Sequence, residues 1–252
     1  MFDRKAFRLP AALLLGGFIT YLVVTFLHTG GPANDHQVIF GDYAGSHDWA
    51  AVHLGQFAGM AVIIAGLVAL YVALGLRAGA AAWLARLGAV FAGAALALYG
   101  ILQAVDGVAL KQAVDAWVSA PSADKAARFG NAETVRWLEW GTRSYHSFTL
   151  GLALILLGSA VALSMRFPKA LGILMGLSGL AYLAQGWVLG SDGFSAGDTM
   201  AILAGYVLTL AWTTWLTALA WRPRGSDGQP RVFDQRYGAP AGRPVSTGHR
   251  TC

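Results

Sequence analysis

Six apolar segments, each long enough to cross a bilayer, constrain this chain more than any other feature. They run over residues 9–28, 53–76, 87–105, 146–165, 170–189 and 199–221. A hydrocarbon core about 30 Å thick is spanned by about 20 helical residues. No water reaches the backbone at that depth, so each segment must satisfy its own N–H and C=O groups as a helix. The sequence predicts an all-α fold, a polytopic membrane protein built as a bundle of six transmembrane helices. Its first partner is the lipid bilayer.

Composition agrees. Only 12% of residues are charged and 56% are hydrophobic, whereas soluble domains carry about 25% charged residues. Six helices with short connections use residues 1–221 as one membrane domain. Residues 222–252 are rich in Gly, Pro and Arg. They lack the apolar content to bury a core and are expected to form a disordered basic cytoplasmic tail. The net charge of +5 is no sign of nucleic-acid binding, because six of the 18 basic residues sit in this tail. The single cysteine, Cys252, excludes an internal disulfide and any CxxC metal motif. Arg4, Lys5 and Arg8 precede an apolar run that is longer than the 7–15 residues of a signal-peptide core, so it is expected to be a retained first helix.

Basic residues set the orientation. Arg4, Lys5 and Arg8, then Arg77 and Arg86, then Arg166 and Lys169, then the tail, alternate with connections 29–52 and 190–198 that contain no Lys or Arg. The positive-inside rule puts both termini of a multi-pass cell-membrane protein in the cytoplasm.

The connection 106–145 is expected to be a helical extracytoplasmic loop. Leu110, Val114 and Trp117 fall at helical spacing, and Asn131 can cap a helix 132–143 in which Glu139 and Arg143 are four apart. Trp137 and Trp140 favour the interface, as anchors or as a lid over the bundle mouth. Gly55/Gly59, Gly172/Gly176 and Gly186/Gly190 offer close helix crossings. A faint parallel repeat aligns 87–97, Gln103 and Asp106-Gly107 with 171–181, Gln185 and Asp192-Gly193.

No charged residue lies in the middle of an apolar segment, and no voltage-sensor row of arginines exists. Polar groups gather instead at the outer ends. His28 closes the first segment and Asp198 is placed to cap the sixth. His53 and Gln56 share a face at the start of the second, and Gln103 and Asp106 share a face at the end of the third. His146 opens the fourth, and Gln185 lies near the outer end of the fifth. His36 and His47 lie in the first connection beside Asp35, Asp42 and Asp48.

These residues point to a non-enzymatic integral membrane protein. Its outward-facing polar pocket would bind or pass a small molecule at His53, Gln56, Gln103, Asp106, His146 and Gln185. No catalytic residue and no cofactor is assigned, since HExxH, HxxxH and GxSxG are all missing. The alternative is a membrane oxidoreductase holding a transition metal or haem at His53 and His146, because imidazoles and carboxylates suit Zn, Cu, Ni or Fe.

Two stretches carry a family likeness. One is Phe167-Pro168-Lys169-Ala170-Leu171-Gly172 with Gly176-Leu177-Ser178-Gly179-Leu180-Ala181-Tyr182-Leu183. The other is the ending Trp212-Thr213-Thr214-Trp215-Leu216-Thr217-Ala218-Leu219-Ala220-Trp221. Together they resemble a bacterial domain-of-unknown-function family of six-helix integral membrane proteins. The resemblance implies the six-helix bundle and no activity, cofactor or catalytic residue.

Overall fold

The computed structural model of the protein describes residues 4–222. The expected disordered tail lies outside the described residues from position 223 onward, with Cys252 in it. The described residues are helical with no strand. A 3₁₀ turn, Arg4–Phe7, leads into α1 (Arg8–Phe26). Then follow α2 (His36–Gly45), α3 (Trp49–Leu74), α4 (Ala80–Ala104), a π-helical stretch (Val105–Leu110), α5 (Lys111–Val118), α6 (Lys125–Leu163), α7 (Lys169–Asp192) and α8 (Ala196–Trp221). Six helices are long and apolar enough to cross a membrane: Arg4–Phe26, Trp49–Leu74, Ala80–Val118, Lys125–Leu163, Lys169–Asp192 and Ala196–Trp221. The protein is an all-α polytopic bundle in contact with lipid.

Local signals explain the helix limits. Pro10 sits in the first turn of α1, where a missing N–H costs nothing. Gly75, at φ 55°, ends α3 in the left-handed region that glycine tolerates. Pro168 stops the preceding turn and starts α7. Ser195, and not Asp198 as the sequence suggested, caps α8: its hydroxyl accepts from the Asp198 N–H at 3.3 Å. Asp198 is buried one turn in.

Backbone approach organises the bundle. Between α6 and α7, a methyl at Gly158 would sit 2.6 Å from the Gly172 carbonyl oxygen, and one at Gly151 would sit 2.7 Å from that of Gly179. One at Gly186 would lie 2.8 Å from the Ser144 carbonyl. Between α1 and α3, a methyl at Gly59 would lie 2.9 Å from Tyr21 backbone, and one at Gly66 would lie 2.9 Å from Leu14 N. Contact this close replaces the absent hydrophobic drive between helices in lipid with van der Waals packing. Of the pairs read from the sequence, Gly55/Gly59 and Gly186/Gly190 do meet neighbouring helices, whereas Gly176 faces open space.

Two features differ from the sequence reading. The connection 106–145 is helical, as expected, but its helices continue the bundle helices instead of standing apart as a separate element. Ala80–Val118 and Lys125–Leu163 are each continuous for 39 residues, about 58 Å of helix, well beyond the hydrocarbon core. The chain turns only at 119–124, around Pro121. Asn131 is therefore an exposed residue inside α6 and caps nothing. The second difference is α2 in the first connection. Asp35 caps it by accepting from the Val38 N–H at 3.2 Å. Ile39, Phe40 and Tyr43 then pack with Trp49, Leu110, Val114 and Ala132 as a second small core, separate from the main one. Lys111 donates to the Ala44 carbonyl at 2.9 Å and locks α2 to α5. The result is a helical cap on the bundle end remote from Arg8 and Ala220.

Candidate functional site

The N-terminal start of α3 is built around Trp49 and His53. The His53 Nδ1–H donates to the Trp49 carbonyl at 2.7 Å, and the two rings lie 4.5 Å apart. Trp49 Nε1–H reaches across to the Asp106 main-chain carbonyl at 3.1 Å. Asp106 is the second residue of the π-helical stretch, and Gly107 follows it. A side chain at 107 would strike His53, with a Cβ 2.7 Å from the His53 Cβ. Gly107 thus lets this stretch lie against α3. π turns shift the helix faces on either side of them and recur at functional sites. Here the turn delivers the Asp106 carboxylate to His53, with Nε2 to Oδ2 at 3.2 Å.

His28, just past α1, joins this pair. Its Nδ1–H donates to the Thr29 carbonyl at 2.8 Å, and its ring centroid is 5.1 Å from that of His53. One ligand atom each from His28, His53 and Asp106 lie within 4.8 Å of one another.

A cavity of about 270 Å³ opens beside this cluster. It lies between the bundle helices at the end that carries the cap. Its polar lining is Thr25, His28, Gln56, Gln103, Asp106, Arg143, His146, Ser147 and Gln185, with Tyr21, Tyr99, Tyr182 and Tyr206. A second cavity, about 170 Å³, shares His28, Gly30, Asp106 and Arg143 with the first and reaches under the cap to Arg136 and Glu139. Toward the bundle centre the lining turns apolar. Phe18, Ile63, Leu150, Leu154 and Trp212 leave a void of only about 20 Å³.

Charged groups here are deeply held. Arg136 and Glu139 are buried and ion-paired. Arg136 also donates to the Ala33 carbonyl at 3.2 Å and lies over the rings of Tyr43 and Phe194. The expected Glu139–Arg143 pair is thus replaced by an i, i+3 pair with Arg136. Arg143 packs over Phe194 at 5.1 Å and lines both cavities. Tyr43, under Arg136, has its hydroxyl pKa pushed up by burial. His36 reaches Glu133 at 3.0 Å and serves the cap, while His47 is exposed.

Of the six residues read from the sequence, Gln56, Gln103, Asp106, His146 and Gln185 line the one cavity. His53 stands behind Asp106 and meets the cavity through it. Gln56 donates to Thr25 at 3.4 Å, and Gln185 accepts from Ser147 at 3.1 Å. His146 donates its Nδ1–H to the Ala95 carbonyl of α4 at 2.9 Å. His53 and His146 do not form a ligand pair, and the partners of His53 are His28 and Asp106. The proposed repeat reaches only part way: Gln103 and Gln185 both line the cavity, but Asp106 is buried and Asp192 exposed.

Sequence reasoning missed Arg143, taken as a helix-surface partner of Glu139, and the four tyrosines, which read as ordinary apolar content. His28 was visible as a helix-end histidine, but nothing in its spacing tied it to His53. Comparison with protein-family models, with curated proteins and with solved structures finds no match to this chain.

Proposed function

We propose that this membrane protein binds a small polar molecule in the cavity at the remote end of its bundle, and that this end faces the outside of the cell. One observation carries the reading. A space of about 270 Å³ inside an otherwise apolar bundle is lined by polar side chains, of which Gln103 Oε1 and Asp106 Oδ1 have no hydrogen-bond partner among the described residues. Polar groups are expensive in a membrane and mark sites of function there. Convergent polar groups on a preformed cavity are the usual form of a small-ligand site, and this one is near the lower size limit of such pockets, about 300 Å³. Arg143 supplies donors for an acceptor oxygen of the ligand. Gln56, Gln103 and Gln185 offer both donors and acceptors.

The apolar plug of Phe18, Leu154 and Trp212 below the cavity favours binding over open passage in this conformation. The basic residues near the opposite end, Arg77, Arg86, Arg166 and Lys169, support an outward-facing cavity by the positive-inside rule. The role is non-enzymatic on this reading.

Melting of the detergent-solubilised protein against amino acids, hydroxy acids, polyols and inorganic phosphate tests it. A compound that binds the native state raises the melting temperature with concentration. The expected result is stabilisation by at least one of these classes, lost in Arg143→Gln. Stabilisation by none of them, or stabilisation unchanged in Arg143→Gln and Gln185→Leu, would contradict the reading.

A further inference from the structure

We infer that His28, His53 and Asp106 hold a divalent first-row transition-metal ion at the wall of the cavity. Three observations converge on it. First, the ligand atoms: one from each residue, all within 4.8 Å of one another. Atoms bound to one ion at about 2.0–2.2 Å lie about 3.0–3.5 Å apart. His53 Nε2 and Asp106 Oδ2 already stand at 3.2 Å. His28 lies just past the end of α1, and a shift of about 1.5 Å brings the widest pair to the same spacing.

Second, the tautomers. The Nδ1 atoms of His28 and His53 each face a main-chain carbonyl, at 2.8 and 2.7 Å. A carbonyl only accepts, so each ring carries a proton on Nδ1, and in its neutral form it presents a lone pair at Nε2. This is the outer-shell bond that metal-bound histidines make to fix their orientation. For His53 it creates a conflict unless a cation is present. A lone pair on Nε2 and the Asp106 carboxylate are both acceptors, facing each other at 3.2 Å. The other Asp106 oxygen, Oδ1, is buried and accepts no hydrogen bond among the described residues. A metal ion resolves both facts at once. The competing resolution is a proton, which would make a plain imidazolium–carboxylate pair.

Third, the ligand set and its access. Two imidazoles and a carboxylate suit Zn²⁺ or Fe²⁺ and leave coordination positions open. His28 and Asp106 line both cavities, so an open position would face the space where the small molecule is proposed to bind. The inference does not depend on the identity of that molecule.

The test is titration of the full-length protein, freed of any affinity tag, with Co²⁺ followed in the visible range and with Zn²⁺ followed by competition. No organic ligand is present, so the outcome is separate from that of the melting screen. The expected result is one Co²⁺ per chain with a ligand-field band, displaced by one Zn²⁺. His28→Gln, at the least buried of the three positions, should weaken binding at least about tenfold, and Asp106→Asn likewise. His146→Gln should leave it unchanged. Absence of stoichiometric binding to the wild-type protein would overturn the inference and leave the proton-bridged pair. So would binding that survives His28→Gln and Asp106→Asn, or binding lost only in His146→Gln.

Discussion

His53 turns its Nε2 to within 3.2 Å of Asp106 Oδ2 while its Nδ1 is held by the Trp49 carbonyl. One contact thus joins the first turn of α3 to the π-helical stretch after α4. Both side chains are almost fully buried. Asp106→Ala removes the carboxylate that meets His53 Nε2, through a proton or the proposed ion, and leaves that nitrogen without a partner. The expected cost is about 1–3 kcal/mol, the desolvation penalty of an unsatisfied buried group. Reversible unfolding in mixed micelles measures it. A loss under about 0.5 kcal/mol, the size of an ordinary surface substitution, would mean the contact does not hold the bundle end together.

Gly172 and Gly176 lie one turn apart on α7 and should respond in opposite ways. Gly172→Ala drives a methyl into the Gly158 carbonyl and into Ala162 on α6. Overpacking of this kind costs about 1–3 kcal/mol. Gly176→Ala meets nothing within 4 Å and should be neutral, or stabilising by up to about 1 kcal/mol through helix propensity. Equal effects at the two sites would contradict the α6–α7 packing described above.

Arg136 and Glu139 form the buried pair under the cap. Removing one member strands a charge, so Arg136→Leu should cost about 3–5 kcal/mol. The double replacement Arg136→Leu/Glu139→Leu strands nothing and should recover most of the loss. A double variant that is worse than the single one would show that the pair itself, and not the stranded charge, sets the stability.

How much of this was readable in the chain varies by residue. The six spans were legible because hydropathy reports burial in lipid directly. The cavity residues Gln103, Asp106, His146 and Gln185 were legible because polar side chains are rare in such segments and theirs share a depth. Helix continuity through 106–145 was not. Lys111, Asp115 and Arg128 interrupt the apolar pattern, yet they lie on helices that continue the bundle helices. Arg143 was misassigned because Glu139 lies four residues before it; the fold gives Glu139 to Arg136 instead. The Gly151/Gly158 and Gly172/Gly179/Gly186 rows repeat every seven residues, so a search at four-residue spacing caught only part of them. The short helix α2 left a weak signal, Asp35 followed by Ile39, Phe40 and Tyr43, within a connection that otherwise reads as polar.

Orientation follows from charge and has its own test. In a Cys252→Ser background, Arg166→Cys should react with a membrane-impermeant thiol reagent only after the cytoplasmic face is exposed. Asp192→Cys should react on intact cells. The reverse pattern would invert the topology and turn the cavity inward.

The central claim is that a polar cavity opens at the capped end of the bundle, proposed to be its outer end, and closes below it. Cysteine accessibility reads this most directly. Gln103→Cys and Ile202→Cys line the cavity, whereas Leu157→Cys lies in the apolar core. With Cys252→Ser as background, an impermeant methanethiosulfonate applied to intact cells should modify positions 103 and 202 and spare 157. Failure to modify either cavity position from outside, or modification only from the cytoplasmic face, would contradict the account.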